Sequence, residues 1–320
     1  MKHSLLAWLR CPECGCSLRA DITRQESNEI FQGSLSCTKC HSRYPILNAV
    51  PRFVENDSYA DAFSFEWNVH RTTQLDSING KRESENRFRE SLGFPLEDLK
   101  GKWVLDVGCG TGRFAEIVLK YGGSVIGVDL SLAVDAAFKN MGTHSNMHII
   151  QADAFKLPLA LDAFDLIYSL GVLHHTPNCR KAFEQLPKHL KAAGKVVLTV
   201  YVRANKVYIA STNFWRHLTT RMPKRLLHFV CHAAVPLYYI YKIPGLYHLG
   251  MTLFPINMHP NWRWRVLDTF DCYSPTYQSY HTYPEVFRWF EDAGLEHVRI
   301  GEPAVTVSGE RPAESLVYAA

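Results

Sequence analysis

Between residues 102 and 202 the chain repeats one pattern. A short apolar run is followed by a polar or glycine-rich break and then by further apolar runs. The runs are Lys102–Val107, Gly123–Leu130, Met147–Phe155, Phe164–Leu170 and Gly194–Val202. Near-continuous apolar content without strict alternation reads as strands buried on both faces, the mark of a parallel sheet. Between the first two runs, Phe114, Ile117 and Val118 fall on one face of a helix spanning Arg113–Lys120. The alternation predicts an α/β fold. The pattern resumes near the end, with a helix over Pro284–Leu295 and strands at Glu296–Pro303 and Glu314–Ala319.

Two long segments lack this rhythm. Residues 56–100 lead into the sheet and include the charged stretch GKRESENRFRESLGF. Within them Phe65, Trp67, Arg71 and Gln74 are spaced to share roughly one face. Residues 203–284 form an insertion before the last helix, dense in Tyr, Trp and His. It holds nine Lys or Arg and two acids, Asp268 and Asp271, for a net +7 against +4 for the whole chain. Three readings fit it: a helical lid over an acceptor pocket, a membrane-surface element, or a nucleic-acid contact. No basic run or RNA motif accompanies the last, so RNA ranks below the membrane. Its apolar run Phe229–Tyr241 has 13 residues and contains His232 and Pro236. A spanning helix needs ~20.

At 320 residues, with 47% hydrophobic and 21% charged, the chain has material for about two domains and shows no sign of disorder. The N-terminal apolar run Leu5–Leu9 is shorter than the ~7–15 residues of a signal-peptide core. Secretion is therefore not expected. A cytoplasmic setting is, with membrane association left open.

The break after the first run carries candidate chemistry. Asp106, Gly108, Gly110 and Gly112 lie in VLDVGCGTGRF. A dinucleotide turn of the form G-x-G-x-x-G would need its third glycine where Arg113 stands, and a P-loop would end in Gly-Lys-Ser/Thr. Taken alone, the turn also suits a generic βα turn of another nucleotide fold. The second run ends in Asp129 and the third in Asp153, so acids stand at three successive strand ends. Open α/β sheets bind ligands at those ends.

These residues resemble the class I S-adenosylmethionine (SAM)-dependent methyltransferases, whose first motif is close to D-x-G-x-G-x-G. The match runs in order from Asp106 to Tyr201 and weakly again from Tyr283. It implies a Rossmann-like seven-stranded methyltransferase sheet at 101–202 and 285–320, with SAM as cofactor and residues 56–100 folded as a helical leader covering the cofactor site. Expected around that cofactor are Asp106, Gly108, Cys109, Gly110, Thr111 and Gly112. Asp129 and Leu130 would serve the ribose, Asp153, Ala154 and Phe155 the adenine, with Ser169 and Leu170 nearby. Arg71 and Gln74 are candidates for the methionine carboxylate, although Arg71 equally suits ordinary packing.

Five of the nine cysteines fall in the first forty residues. Cys11/Cys14 and Cys37/Cys40 are two C-x2-C pairs, a spacing that supplies four thiolates to one structural Zn²⁺. Free buried cysteines are the plainer alternative. A unit of about fifty residues buries little surface, so a metal staple is physically reasonable. With His41–Phe53, the segment resembles a small zinc-binding domain known as an activator subunit of RNA and protein methyltransferases. A zinc ribbon over residues 1–55 is expected, structural or partner-binding.

His174 and His175 follow the fourth run, where a methyl group would project, and either could act as a base. Packing roles are the alternative. Tyr201, Tyr208, Trp215 and Tyr277 are candidates for the acceptor wall. The reading is a methyltransferase for a small or amphipathic metabolite, anionic or lipid-linked among the options. An RNA methyltransferase docking through its ribbon and a non-enzymatic scaffold are the alternatives. The acceptor atom and the oligomeric state stay open.

Overall fold

The computed structural model describes residues 1–26, 29–54, 59–203 and 206–313. The chain opens with a four-stranded antiparallel sheet of β1 (Leu18–Glu26), β2 (Glu29–Cys37), β3 (Arg43–Leu47) and β4 (Val50–Pro51), ordered as in the chain. Seven further strands make a second sheet: β5 (Trp103–Val107), β6 (Ser124–Asp129), β7 (Met147–Gln151), β8 (Phe164–Leu170), β9 (Leu190–Val200), β10 (Glu296–Gly301) and β11 (Val305–Glu310). Their order is β10-β11-β9-β8-β5-β6-β7. Strands β5 to β9 pair in parallel, and β11 is antiparallel to both β9 and β10.

Short helices α1 (Asp61–Val69) and α2 (Asp76–Asn79), with α3 (Glu83–Leu92), precede this sheet. Helices α4 (Ala115–Lys120), α5 (Ala133–Met141) and α6 (Cys179–Phe183) connect its parallel strands. The insertion folds as α7 (Lys206–Thr219), α8 (Lys224–Cys231), α9 (Ala234–Tyr241), α10 (Leu246–Leu253) and α11 (Trp262–Tyr273). Helix α12 (Tyr283–Asp292) leads into the last two strands, its first turn closed by a Thr282/Glu285 capping box.

Strand order reverses at β5, which has β6 on one side and β8 on the other. That switch point opens a crevice at the carboxyl ends of the strands. The strands are apolar because both faces are covered: β7 is buried throughout, and β5 everywhere except at Trp103.

Several element bounds differ from the sequence reading. Strand β7 stops at Gln151, two residues before Asp153, because the Asp153 carboxylate accepts the Phe155 N–H and turns the chain. Helix α4 begins at Ala115, since the glycine turn extends through Arg113. Strand β9 begins earlier than expected, at Leu190, with a register irregularity against β8. The last strand is Val305–Glu310, paired from Val305↔Val200 to Glu310↔Lys195; the strand expected at 314–319 lies outside the described residues.

The N-terminal sheet is docked on the larger one, and their cores are continuous. Leu5, Leu9 and Leu35 share one buried cluster with Ile126, Val128 and Phe164. The Trp8 ring lies 4.1 Å from that of Trp103. The segment after β4 runs along β7, where Phe53 N–H donates to the Gln151 carbonyl at 2.8 Å. An otherwise open edge is thereby covered. Buried Arg52 clamps this junction, donating to Gln151 Oε1 at 2.8 Å and pairing with Asp135 at 2.7 Å. Arg52→Ala leaves Asp135 without its cation in a partly exposed site and should lower unfolding stability by about 2 kcal/mol. Urea denaturation of both proteins checks this.

Candidate active site

One cavity of about 950 Å³ occupies the crevice, roofed by α1 and the insertion. This is the upper end of the ~300–1,000 Å³ typical of small-molecule sites, enough for two ligands side by side. Its walls fall into two halves by strand of origin. The ends of β5, β6 and β7 supply one half: Asp106, Gly108, Cys109, Gly110, Thr111, Asp129, Leu130, Ala152 and Ala154. The ends of β8 and β9, with the insertion, supply the other half, which includes Leu170, His175, Tyr201, Tyr208, Asp271 and Tyr280.

The glycine turn is shaped for close approach. Gly108 has φ +84°, and a Cβ there would lie 2.3 Å from Val172 Cγ1, so only glycine fits. Asp129 is held by the turn: one carboxylate oxygen accepts the Gly110 N–H at 2.9 Å, the other the N–H and hydroxyl of Ser131. Burial raises its pKa against these bonds. Burial also pushes Asp106 up to about 7, and its Oδ2 has no partner among the described residues. A cationic ligand that also offers a pair of hydroxyls would satisfy both acids. The donor half therefore fits a positively charged adenosyl sulfonium.

On the other half, His175 lines the cavity. Its Nδ1 lies 3.1 Å from the Tyr277 carbonyl, a group that only accepts, so Nδ1 carries the proton. Among the described residues the Nε2 is a buried acceptor without a partner. Burial lowers the pKa of this ring and so favours the neutral imidazole, while the nearby Asp271 pulls the other way.

The four ribbon cysteines come together as expected. All ligand atoms of Cys11, Cys14, Cys37 and Cys40 lie within 4.8 Å of one another, and the close Sγ pairs are 3.4–3.5 Å apart. A tetrahedron with Zn–S bonds of ~2.3 Å has edges near ~3.8 Å, so the set fits one structural Zn²⁺. The Lys39 N–H points at the Cys37 sulfur. The Cys16 thiol points at the Cys14 carbonyl, outside the four.

Residues 105–198 match the family model described as Methyltransferase domain. Residues 105–198 are a methyltransferase domain, and the N-terminal sheet carries a four-cysteine cluster that fits a zinc ribbon. Among curated relatives, the chain is 32% identical over 129 residues to a ubiquinone biosynthesis O-methyltransferase of Coxiella burnetii, covering 39% of this chain and 55% of that protein. It is 38% identical over 112 residues to a tRNA U34 carboxymethyltransferase of Shewanella baltica, 33% of this chain and 34% of that protein. It thus spans about half the length of the first and a third of the second. Among solved structures, magnesium protoporphyrin IX methyltransferase from Synechocystis PCC 6803 aligns with TM-score 0.44 and 14% identity over 80% of this chain and 97% of that one.

In this methyltransferase core, several sequence candidates lie off the cavity. Asp153 and Phe155 stand beyond the strand end, and only their neighbours Ala152 and Ala154 line the wall. Gly112 faces Met141. Ser169 braces β8 by donating to the Val107 carbonyl. Arg71 donates to Asn140 on α5, while Gln74 does reach the cavity. His174 is fully buried behind His175, its ring 3.8 Å from that of Tyr201 and both nitrogens without hydrogen-bond partners among the described residues. Trp215 donates to the Leu253 carbonyl, and Tyr277 contributes its backbone, its ring lying 5.7 Å from Tyr59.

Other lining residues escaped the sequence reading. Tyr59 and Phe63 roof the cavity from the leader beside Trp67, which the sequence already places on one face with Gln74, and Arg87 and Arg113 bring cations to a wall that Arg71 does not line. Arg113 donates to Ser84 and Gln74, and burial lowers its pKa to about 9. Glu66 joins Asp268 and Asp271 in the wall. The signal for Glu66 was a lone acid among the aromatics of AFSFEWN.

Asp129→Ala removes the acceptor of the Gly110 N–H and of Ser131 and, with the ribose placed there as the resemblance implies, also the acceptor of its hydroxyls. SAM affinity should fall about 100-fold, the equivalent of ~3 kcal/mol. Calorimetric titration with SAM measures it.

Proposed function

We propose that this chain transfers the methyl group of SAM to a small or amphipathic acceptor seated between His175, Tyr201 and the insertion. The supporting observation is His175: a neutral base whose free Nε2 lies on the acceptor side of a cavity whose other side fits an adenosyl sulfonium. When bound, SAM supplies an electrophilic methyl group and a thioether leaving group. The protein aligns the acceptor for in-line attack, excludes water beneath α1 and the insertion, and receives the acceptor's proton at His175 Nε2. The Nδ1–H···Tyr277 bond fixes the ring for this. His174 packs behind it and orients the loop. Incubation of the protein with labelled SAM and cell extract, followed by mass spectrometry of the labelled product, tests this reading. A non-enzymatic scaffold would bind SAM or nothing and label no acceptor.

The surface of the insertion supports an amphipathic acceptor taken from a lipid surface. Helix α10 lines the cavity through Tyr247, His248 and Met251, while Leu249 and Leu253 stand 56% and 60% exposed. On neighbouring α7, Phe214 is 73% exposed. Arg203, Lys206, Arg221, Arg225, Lys242 and Arg263 are exposed, whereas the two acids of the segment turn toward the cavity. Exposed apolar side chains and exposed cations on one segment suit anionic headgroups. Among the described residues no helix is long and apolar enough to cross a membrane, so the contact would be peripheral. The protein should float with phosphatidylglycerol vesicles and much less with phosphatidylcholine. Replacing Leu249 and Leu253 by Ser should reduce the bound fraction at least ~10-fold. Salt-sensitive tRNA binding without flotation would favour an RNA acceptor instead, in line with the tRNA-modifying relative.

A further inference from the structure

The acceptor half of the cavity contains a carboxyl that the fold leaves unsatisfied. Glu66 on α1 is 0% exposed, lines the cavity, and has no hydrogen-bond partner at either oxygen among the described residues. It faces Asp268 and Asp271 on α11. Asp271 is half-satisfied: one oxygen accepts from the Tyr201 hydroxyl at 3.0 Å, and the other is buried without a partner among the described residues. Asp268 is better served, by Asn257 at 2.9 Å and Gln74 at 3.4 Å. Arg87 and Arg113 line the same cavity, yet neither makes an ion pair with Glu66 among the described residues.

A buried carboxyl with both oxygens unpaired costs stability, and two more acids beside it add to the cost. Arg113, Arg87, Asn257 and Gln74 offset part of the cost at Asp268 and Tyr201 part of it at Asp271, whereas among the described residues no hydrogen bond serves Glu66. Burial, with Asp271 and Asp268 close by, raises the Glu66 pKa well above the carboxylate range. A ligand that brings donors and positive charge would relieve all three groups together. Position assigns that ligand to the acceptor rather than to SAM. Asp271 is tied to Tyr201 beyond β9, and α11 belongs to the insertion, whereas the SAM side is built from the ends of β5, β6 and β7.

We propose that Glu66 and Asp271 form the polar end of the acceptor subsite and take a protonated amine of the acceptor. This rests on the methyltransferase reading and narrows its substrate class. An amphipathic amine then replaces the anionic acceptor that the sequence had left open. The basic outer face and the acidic inner wall of the insertion serve different partners.

The test uses the full-length protein and three probes of one shape: phenethylammonium, phenethyl alcohol and phenylacetate, titrated calorimetrically with and without S-adenosylhomocysteine. The ammonium should bind at least ~10-fold tighter than the alcohol, and the carboxylate least. Glu66→Gln should weaken the ammonium ~10-fold or more, leave S-adenosylhomocysteine affinity unchanged, and hold or raise the melting temperature. A purely structural Glu66 would lower that temperature. If Glu66→Gln fails to fold, Asp271→Asn carries the same binding prediction. Equal ammonium binding by wild type and variant, tighter binding of the carboxylate, or binding of none of the probes overturns the proposal. So does a parallel loss of S-adenosylhomocysteine affinity, which would place Glu66 on the SAM side. Failure of the methyltransferase reading is seen separately, as wild-type protein that binds the ammonium but no S-adenosylhomocysteine.

Discussion

Replacing His175 by alanine is expected to lower kcat by about 10²–10⁴-fold while SAM affinity stays within about twofold. The imidazole sits on the acceptor side, so its loss should not reach Asp129 or the glycine turn. A base in the neutral state works only while Nε2 is unprotonated. Burial lowers its pKa from the ordinary value near 6.5, so wild-type turnover should not fall as the pH passes through ~6.5 from above. The fall should come at lower pH, when the ring finally charges and Nε2 becomes a donor. His174→Ala should cost less, and partly through stability, because that ring touches Tyr201 and His175 rather than the cavity. The check is steady-state kinetics of both variants with an acceptor found by the labelling screen, alongside SAM calorimetry. Unchanged turnover in His175→Ala would remove the base from the mechanism.

Cys37→Ser should strip most of the zinc and destabilise the whole chain, not the ribbon alone. Structural zinc sites in small peptides contribute ~10–16 kcal/mol of binding free energy to folding. Here part of that is recovered, because the ribbon also docks through Trp8, Leu9 and Arg52. A net loss of about 3–5 kcal/mol, roughly 10 °C in melting temperature, is expected. The core shared with Ile126 and Phe164 carries the loss into the methyltransferase sheet. Cys16→Ser is the control and should keep its zinc. Metal analysis and thermal melts of both variants decide it, and full zinc occupancy in Cys37→Ser would disprove this ligand set.

The strands and the glycine turn were legible because each depends on local chemistry. Phe164–Leu170 is apolar because both faces of β8 are covered, and Gly108 is glycine because Val172 leaves no room for a Cβ. The cysteine pairs were legible for the same reason, since the C-x2-C spacing itself brings two sulfurs to one knuckle. What failed to show were residues whose roles arise from packing between distant segments. Arg71 and Arg113 look equally available in the sequence, and only the fold ties one to Asn140 and points the other into the cavity. The two acids of the insertion stood out as exceptions in a basic segment, yet their partner Glu66 lies some 200 positions away on another helix. The third strand was read too long because Asp153, treated as its last residue, makes the turn that ends it.

Methyl transfer as proposed requires that the crevice at the ends of β5 and β6 hold SAM with its methyl directed toward His175. The most direct measurement is a crystal structure of the protein grown with S-adenosylhomocysteine. The expected density has the ribose on Asp129, the backbone of Gly108–Gly110 against the ligand, and the sulfur facing the side of His175. An empty crevice at saturating ligand, or density for the ligand elsewhere, would contradict it.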